Sequence, residues 1–348
     1  MGHYGKRFNI KTVHIILLCL LFTLNAQGKD YTKIPEVQIF IKEMSQKHGL
    51  NSIKLTKLFQ NVQMQKRPLK IINPKKSQKS NKKYIPKKYG SWTRYEQYLL
   101  KEEKIKLGVE FLHKYKSIFD RVYKTYGVPP EYVAAIIGVE SRYGLKQGTY
   151  PVFDTLTTLA FEKNRRNKYF RYELENLLLL ARTQNINPKW IKGSYAGAIG
   201  LGQFMPSSYA PFAVDFNGDG IKSMRTTADA IASVANYLHK NGWRKWEPVA
   251  ERVTFEGCRY NGKETGYKCK YSQEELKEFK LKYGEWSYKG DVNLIKLDRY
   301  RFDELWFGAH NFYVITRYNH NVYYAMVVHQ LAQRLTRSYK KVYGTPLR

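Results

Sequence analysis

Glu140 stands where a helix would be expected to carry an apolar side chain. Val133, Ile136 and Ile137 fall at i, i+3 and i+4 of one helical face, and Glu140 is the i+7 member of that stripe. Pro129 and Pro130 suit the first turn of such a helix, and Gly144 and Gly148 end it soon after Glu140. The carboxyl group therefore lies in the last turn, at the negative end of the helix dipole. Burial and that dipole both disfavour the ionised form and should raise the pKa. A carboxylic acid still protonated near neutral pH is what general-acid cleavage of a glycosidic bond requires. The competing reading is a structural glutamate paired with Arg142 or Arg182. The sequence carries no Ser-His-Asp nucleophile signature.

A second candidate is GSYAGAIGLGQFMPSSY, Gly193 to Tyr209. Its small residues let backbone approach a ligand or another segment closely. The glycine spacing fits neither a dinucleotide fingerprint nor a phosphate loop. Ser194 and Gln203 supply polar groups suited to sugar hydroxyls and acetamido groups, whereas the plainer reading is tight helix packing. A third candidate is VDFNGDGIKSM, with Asp215, Asn217 and Asp219 at positions 1, 3 and 5 and Gly220 at position 6. That is the first half of an EF-hand loop. Position 12 is Thr226, but Asp229 lies one turn further on and could supply the missing carboxylate. A structural Ca²⁺ is the expectation, against a metal-free turn. No organic cofactor is expected. The fourth signal is aromatic: 29 tyrosines, including Tyr95, Tyr195, Tyr209 and Tyr318, offer faces and hydroxyls for sugars, although most will be core.

These groups need elements to hold them. The stretch 29–64 reads as a helical segment, with Val37, Phe40, Ile41 and Met44 on one face and Gly49 as a C-cap. The stretch 65–90 reads as an exposed linker; Lys66 to Lys88 holds ten basic residues and no acidic one. A helix-rich body follows over 91–250. In it FLHKYKSIFDRVYKTYG is expected as one helix, RYELENLLLLARTQN as another, and TTADAIASVANYLHKNG as a third, with a threonine cap. Residues 251–296 change to β-branched and aromatic character around Gly262, Gly266 and Gly290, which suggests a small β insert. Helical periodicity returns in 297–348, clearest over Val322–Leu335. The fold class is mainly α, an α+β arrangement of a helical core with flanking helical segments and a small β insert.

The chain has 348 residues and a formal net charge of +31, so its surface seeks a polyanion. Residues 1–28 resemble a secretory signal peptide: Lys6, Arg7 and Lys11 precede an apolar run from Val13 to Phe22, then Ala26 and Gly28. The alternative is an uncleaved anchor. Leu17 and Leu18 before Cys19 argue against a lipoprotein site. Export demotes nucleic acid as a partner and leaves anionic lipid or wall polymer. It also suggests that Cys258 and Cys269 form a disulfide, against two free thiols.

Together these motifs resemble the membrane-bound lytic murein transglycosylase B family. GVPPEYVAAIIGVESRYG, GSYAGAIGLGQFMPSSY, VDFNGDG and NFYVITRYN carry the resemblance, in the family's order, along nearly the whole mature chain. The resemblance implies a lysozyme-like helical core and a peptidoglycan lytic transglycosylase that leaves 1,6-anhydromuramic acid ends. A hydrolytic muramidase and a non-catalytic wall-binding scaffold are the alternatives. It implies Glu140 as the catalytic acid and base. It places Ser194, Gln203, Tyr95, Tyr318 and Asn319 in the glycan cleft, with Arg165 and Arg166 towards the peptide side of the substrate; Tyr237 joins these substrate-binding candidates. The implied calcium ligands are Asp215, Asn217, Asp219, the Ile221 carbonyl and Asp229. The segment around Cys258 and Cys269 departs from the family. The expected setting is the periplasm, as a monomer on glycan strands, without a lipid anchor and with peripheral membrane association left open.

Overall fold

The computed structural model describes residues 28–74, 89–284 and 286–347. The expected signal peptide, up to residue 27, and residues 75–88 of the basic linker lie outside the described residues. The chain divides into two compact units, Met1–Lys66 and Arg67–Arg348.

In the first unit a short 3-10 turn, Tyr31–Lys33, leads into α1 (Pro35–His48) and α2 (Ser52–Gln60). The expected stripe of Val37, Phe40, Ile41 and Met44 is buried, and Gly49 closes α1 in the left-handed region at φ 64°. Asn51 caps α2 by accepting from the Lys54 N–H at 2.9 Å. Phe40 and Phe59 meet edge to face at 6.1 Å, which ties the two helices together.

A further helix, α3 (Lys66–Ile72), occupies the start of the expected linker. Pro68 is buried there whereas Lys66, Arg67, Lys70 and Ile71 are exposed, so this part of the basic stretch is helical but still largely open to solvent. The second unit continues with α4 (Ser91–Leu99), α5 (Glu102–Lys114), α6 (Lys116–Tyr126) and α7 (Pro130–Ser141). The expected single helix over 111–127 is thus two, broken at Tyr115. No glycine or proline marks this break. The Tyr115 ring packs on Phe111 at 5.0 Å, an i,i+4 contact of the kind a continuous helix also makes, so the sequence carries no local signal for the break. Next come β1 (Tyr150–Pro151), α8 (Val152–Phe161), α9 (Asn167–Thr183), β2 (Lys192–Gly193), α10 (Pro206–Phe212) and α11 (Thr227–Lys240). Thr226 sits at the N-cap of α11, but its hydroxyl makes no capping bond.

The β region is a five-stranded antiparallel sheet in the order β4-β6-β7-β3-β5. Its strands are β3 (Ala250–Thr254), β4 (Lys270–Tyr271), β5 (Lys282–Tyr283), β6 (Val292–Asp298) and β7 (Asp303–Gly308), with α12 (Gln273–Lys277) between β4 and β5. Strand structure therefore runs past residue 296, the expected end of the insert. Val253, Leu276, Leu294, Leu305 and Phe307 form its own small core. Two helices, α13 (His310–Tyr318) and α14 (Val322–Tyr343), complete the unit.

Cys258 and Cys269 are free thiols, contrary to the disulfide expectation. The Cys258 carbonyl accepts from Asp303 N–H, at the end of the β6–β7 ladder where Asp298 pairs Asp303. The Cys269 carbonyl is held by Asn293, at the opposite end. Five strand residues separate those ends, roughly 17 Å, whereas bridged cysteines need Cα atoms within about 7 Å.

The helix that carries Glu140 is the centre of the second unit. Val133, Ala134, Ala135, Ile136 and Ile137 are all fully buried. α7 packs against α5, α11 and α14, so it is apolar nearly all round, as a central helix must be. Truncating one such isoleucine to alanine would cost about 2–5 kcal/mol.

Candidate active site

Glu140 sits in the last turn of α7, half-buried, on the wall of a cavity of about 240 Å³. Arg142 and Tyr143 leave the helix in the left-handed region at φ 51° and 57°, and Gly144 follows at 90°. This turn is costly for non-glycine residues. It drives the Tyr143 ring into a slot between Gly108 of α5 and Gly138 of α7. A Cβ at Gly108 would lie 2.2 Å from the Tyr143 hydroxyl, and one at Gly138 2.5 Å from the ring. The missing side chain at Gly138 therefore allows the turn that fixes the end of the helix. Ser141 adds to the lock: its hydroxyl donates to the Ile137 carbonyl at 3.2 Å and accepts from Gly144 N–H at 3.0 Å.

The Glu140 carboxyl accepts from the Tyr324 hydroxyl at 2.7 Å. Burial pushes its pKa up to about 7, opposed by the Tyr324 hydrogen bond and the charge of Lys104. Neither arginine named as a structural partner explains its burial by pairing. Arg142 binds Glu103 instead, and Arg182 is not on the cavity wall. Glu103 is the other acidic residue on that wall, and its carboxylate is held by Arg142.

Three tyrosines surround the acid. Tyr318, the last residue of α13, and Tyr324, in the first turn of α14, stack nearly parallel at 6.4 Å. The Tyr318 hydroxyl is committed to the Gly202 carbonyl at 2.5 Å, which ties α13 to the glycine-rich segment. Tyr95 comes from α4. Burial, then the nearby Glu140 charge, raises the pKa of its phenol. The sheet sets this helix: Asp298 of β6 accepts from Ser91 N–H at 3.1 Å and from Trp92 N–H at 3.3 Å, a cap supplied from another element.

Ser194 and Gln203 line a second cavity of about 570 Å³, and Lys146 lines both cavities. The segment that holds them is a tight turn with a bridge between Ile199 and Phe204, not packed helix. The Ser194 hydroxyl accepts from Ala198 N–H at 3.0 Å. The Gln203 amide donates to the Gly200 carbonyl at 2.8 Å and the Gln147 carbonyl at 3.2 Å, with its own φ at 50°.

Other candidates lie elsewhere. Tyr237 donates its hydroxyl to the Arg317 carbonyl at 2.6 Å and packs on Tyr318 at 4.8 Å, so it buttresses Tyr318 from behind. Asn319 is exposed at the C-cap of α13. Arg165 and Arg166 are exposed and line neither cavity; the Arg166 guanidinium lies 4.2 Å from the Tyr169 ring centroid.

The loop expected to bind metal brings carboxylate oxygens of Asp215, Asp219 and Asp229 within 4.8 Å of one another. Asp229 is fully buried and accepts from Phe216, Asn217 and Ser223 N–H groups. Asp219 accepts from Ile221 N–H at 2.8 Å and from the Asn217 amide at 2.8 Å. Three like charges gathered this closely, with all-oxygen donors, fit a hard divalent cation such as Ca²⁺.

The sequence pattern hid two residues. Tyr324 reads as one more apolar-stripe tyrosine, in register with Val328 and Leu331, yet it binds the acid. Lys104 reads as a surface lysine, yet it is half-buried beside Glu140, and burial lowers its pKa to about 8.

Residues 33–333 match the profile described as the transglycosylase SLT domain. The chain is 38% identical over 307 residues to membrane-bound lytic murein transglycosylase B of Escherichia coli K12, spanning 88% of this chain and 84% of that protein. The solved Escherichia coli lytic transglycosylase Slt35, in complex with calcium, superposes with a TM-score of 0.81 at 36% identity, over 91% of this chain and 98% of that one. Soluble lytic transglycosylase SltB1 from Pseudomonas aeruginosa gives 0.76 at 35% identity, over 87% and 99%. The chain belongs to the lytic transglycosylase family that carries the transglycosylase SLT domain.

Proposed function

We propose that this lytic transglycosylase cleaves the β-1,4 bond between N-acetylmuramic acid and N-acetylglucosamine, with Glu140 as both acid and base. The observation that carries the reading is a half-buried carboxyl on a cavity wall, with its pKa raised to about 7. Because Tyr324 donates to one carboxyl oxygen, Oε1, the acid proton belongs on the other. That proton passes to the glycosidic oxygen as the C1–O bond breaks. The muramyl acetamido oxygen closes on C1 as an oxazolinium, since Glu103, the other acidic residue on the wall, is engaged by Arg142. Ionised Glu140 then takes the proton of the muramyl C6 hydroxyl. The C6 oxygen attacks C1 and displaces the acetamido oxygen, giving the 1,6-anhydro ring without consuming water.

Tyr95 and Tyr318 offer aromatic faces, and Ser194 and Gln203 polar groups, to the flanking sugars. Asn319, Arg165 and Arg166 lie further out, where they could meet the substrate's periphery. Asp215, Asn217, Asp219, the Ile221 carbonyl and Asp229 would hold a structural Ca²⁺, which when bound would neutralise the carboxylates and brace the loop. Among the described residues no helix is long and apolar enough to cross a membrane. The leader pattern and the net charge of +31 favour action in the periplasm on anionic wall polymer. The test is Glu140→Gln: it should still bind isolated sacculi and release no soluble fragments. A variant that still solubilises sacculi would disprove the assignment.

A further inference from the structure

The cavity that holds Glu140 carries more positive charge than a neutral sugar needs. Lys101 sits at the N-cap of α5 and Lys104 lies in its first turn, Arg142 caps the end of α7, and Lys146 lies in the loop beyond. All four line the same cavity of about 240 Å³. Its acidic residues are Glu103, which pairs with Arg142, and Glu140, which is neutral below about pH 7. Glu140 faces Lys104, and Lys101 and Lys146 are left with no further carboxyl on that wall to balance them. Burial holds the pKa of Lys104 down, and the charges of Arg142 and Lys146 add to it, so the cations crowd one another. An anion placed among them would relieve that repulsion.

We propose that Lys101, Lys104, Arg142 and Lys146 form a recess that binds a carboxylate on the peptide substituent of the glycan, next to the bond Glu140 cleaves. This rests on the glycan-cleaving reading and names the substrate feature that the site selects. Arg142 presents the remaining N–H groups of a rigid fork, which matches a carboxylate. Lys101 and Lys146 are exposed at the rim, where they can meet a substituent that extends into solvent. Arg165 and Arg166, the arginines expected on the peptide side, line neither cavity, so this recess is a separate site.

The test measures affinity in Glu140→Gln protein, which should bind without cutting. The probes are soluble, uncrosslinked glycan fragments with stem peptides, either native or with their carboxylates converted to primary amides. Native fragments should bind about tenfold more tightly than amidated ones, as one charge-assisted contact would give. Adding Lys101→Gln and Lys146→Gln should bring that ratio close to one. Both lysines are exposed, so the fold should tolerate the changes. A ratio unchanged by the two substitutions, or a ratio of one before them, overturns the recess. Wild-type protein that shows the binding preference but cuts no glycan would instead overturn the glycosidase reading and leave the recess standing.

Discussion

Replacing Glu140 with glutamine should abolish cleavage and, above pH 7, make the protein more stable. The sign follows from the proton balance. The folded state holds the Glu140 proton up to about pH 7, whereas the ordinary value is 4.5. Between those values unfolding releases a proton, so the stability of the wild-type protein falls as pH rises. Each pKa unit corresponds to roughly 1.4 kcal/mol, so the full penalty above pH 7 is about 3 kcal/mol. Glutamine has nothing to ionise and can still accept from the Tyr324 hydroxyl. Urea titrations of both proteins at pH 4 and pH 8 would measure the difference. Other titrating groups are common to both proteins and cancel. The stability advantage of the variant should grow by about 3 kcal/mol between the two pH values. A constant or shrinking advantage would refute a carboxyl kept neutral by burial.

Tyr324→Phe removes a hydrogen bond that lowers the Glu140 pKa. The alkaline limb of the activity profile should move to higher pH, with kcat down about tenfold; an unmoved limb contradicts the contact. Gly138→Ala places a methyl group 2.5 Å from the Tyr143 ring and should cost about 1–3 kcal/mol in urea unfolding, although alanine favours helices. Chelation should lower Tm by about 5 °C or more if the aspartate loop binds Ca²⁺ tightly; Asp229→Ala should remove that response. His329 is 3% exposed, and burial lowers its pKa to about 4. Its contribution is present above about pH 6.5 and lost towards pH 4, so His329→Phe should lose about 3 kcal/mol less than wild type over that range in urea unfolding.

Helix α7 was legible because its apolar stripe, its prolines and its glycines all agree, and Glu140, which interrupts that stripe, does lie on a cavity wall. The aspartate loop was legible for a similar reason: the spacing of Asp215, Asn217 and Asp219 is local. What the pattern could not reveal depends on partners distant in sequence. The helix bearing Tyr95 is capped by Asp298, 207 residues on from Ser91. Tyr324 reaches Glu140 across 184 residues. The break at Tyr115 and the helix at Lys66–Ile72 had no local signal either: no glycine or proline marks the first, and the run of basic residues obscured the second. The disulfide expectation failed because cysteine count and compartment say nothing about ladder register, and the register holds the two thiols at opposite ends.

The most direct test of the central claim is digestion of peptidoglycan in water enriched with ¹⁸O, followed by mass spectrometry of the released fragments. Cleavage in which Glu140 passes the proton of the C6 hydroxyl predicts muramyl ends lighter by one water and free of the label. Reducing ends carrying ¹⁸O would mean that water attacks C1, and would contradict the account.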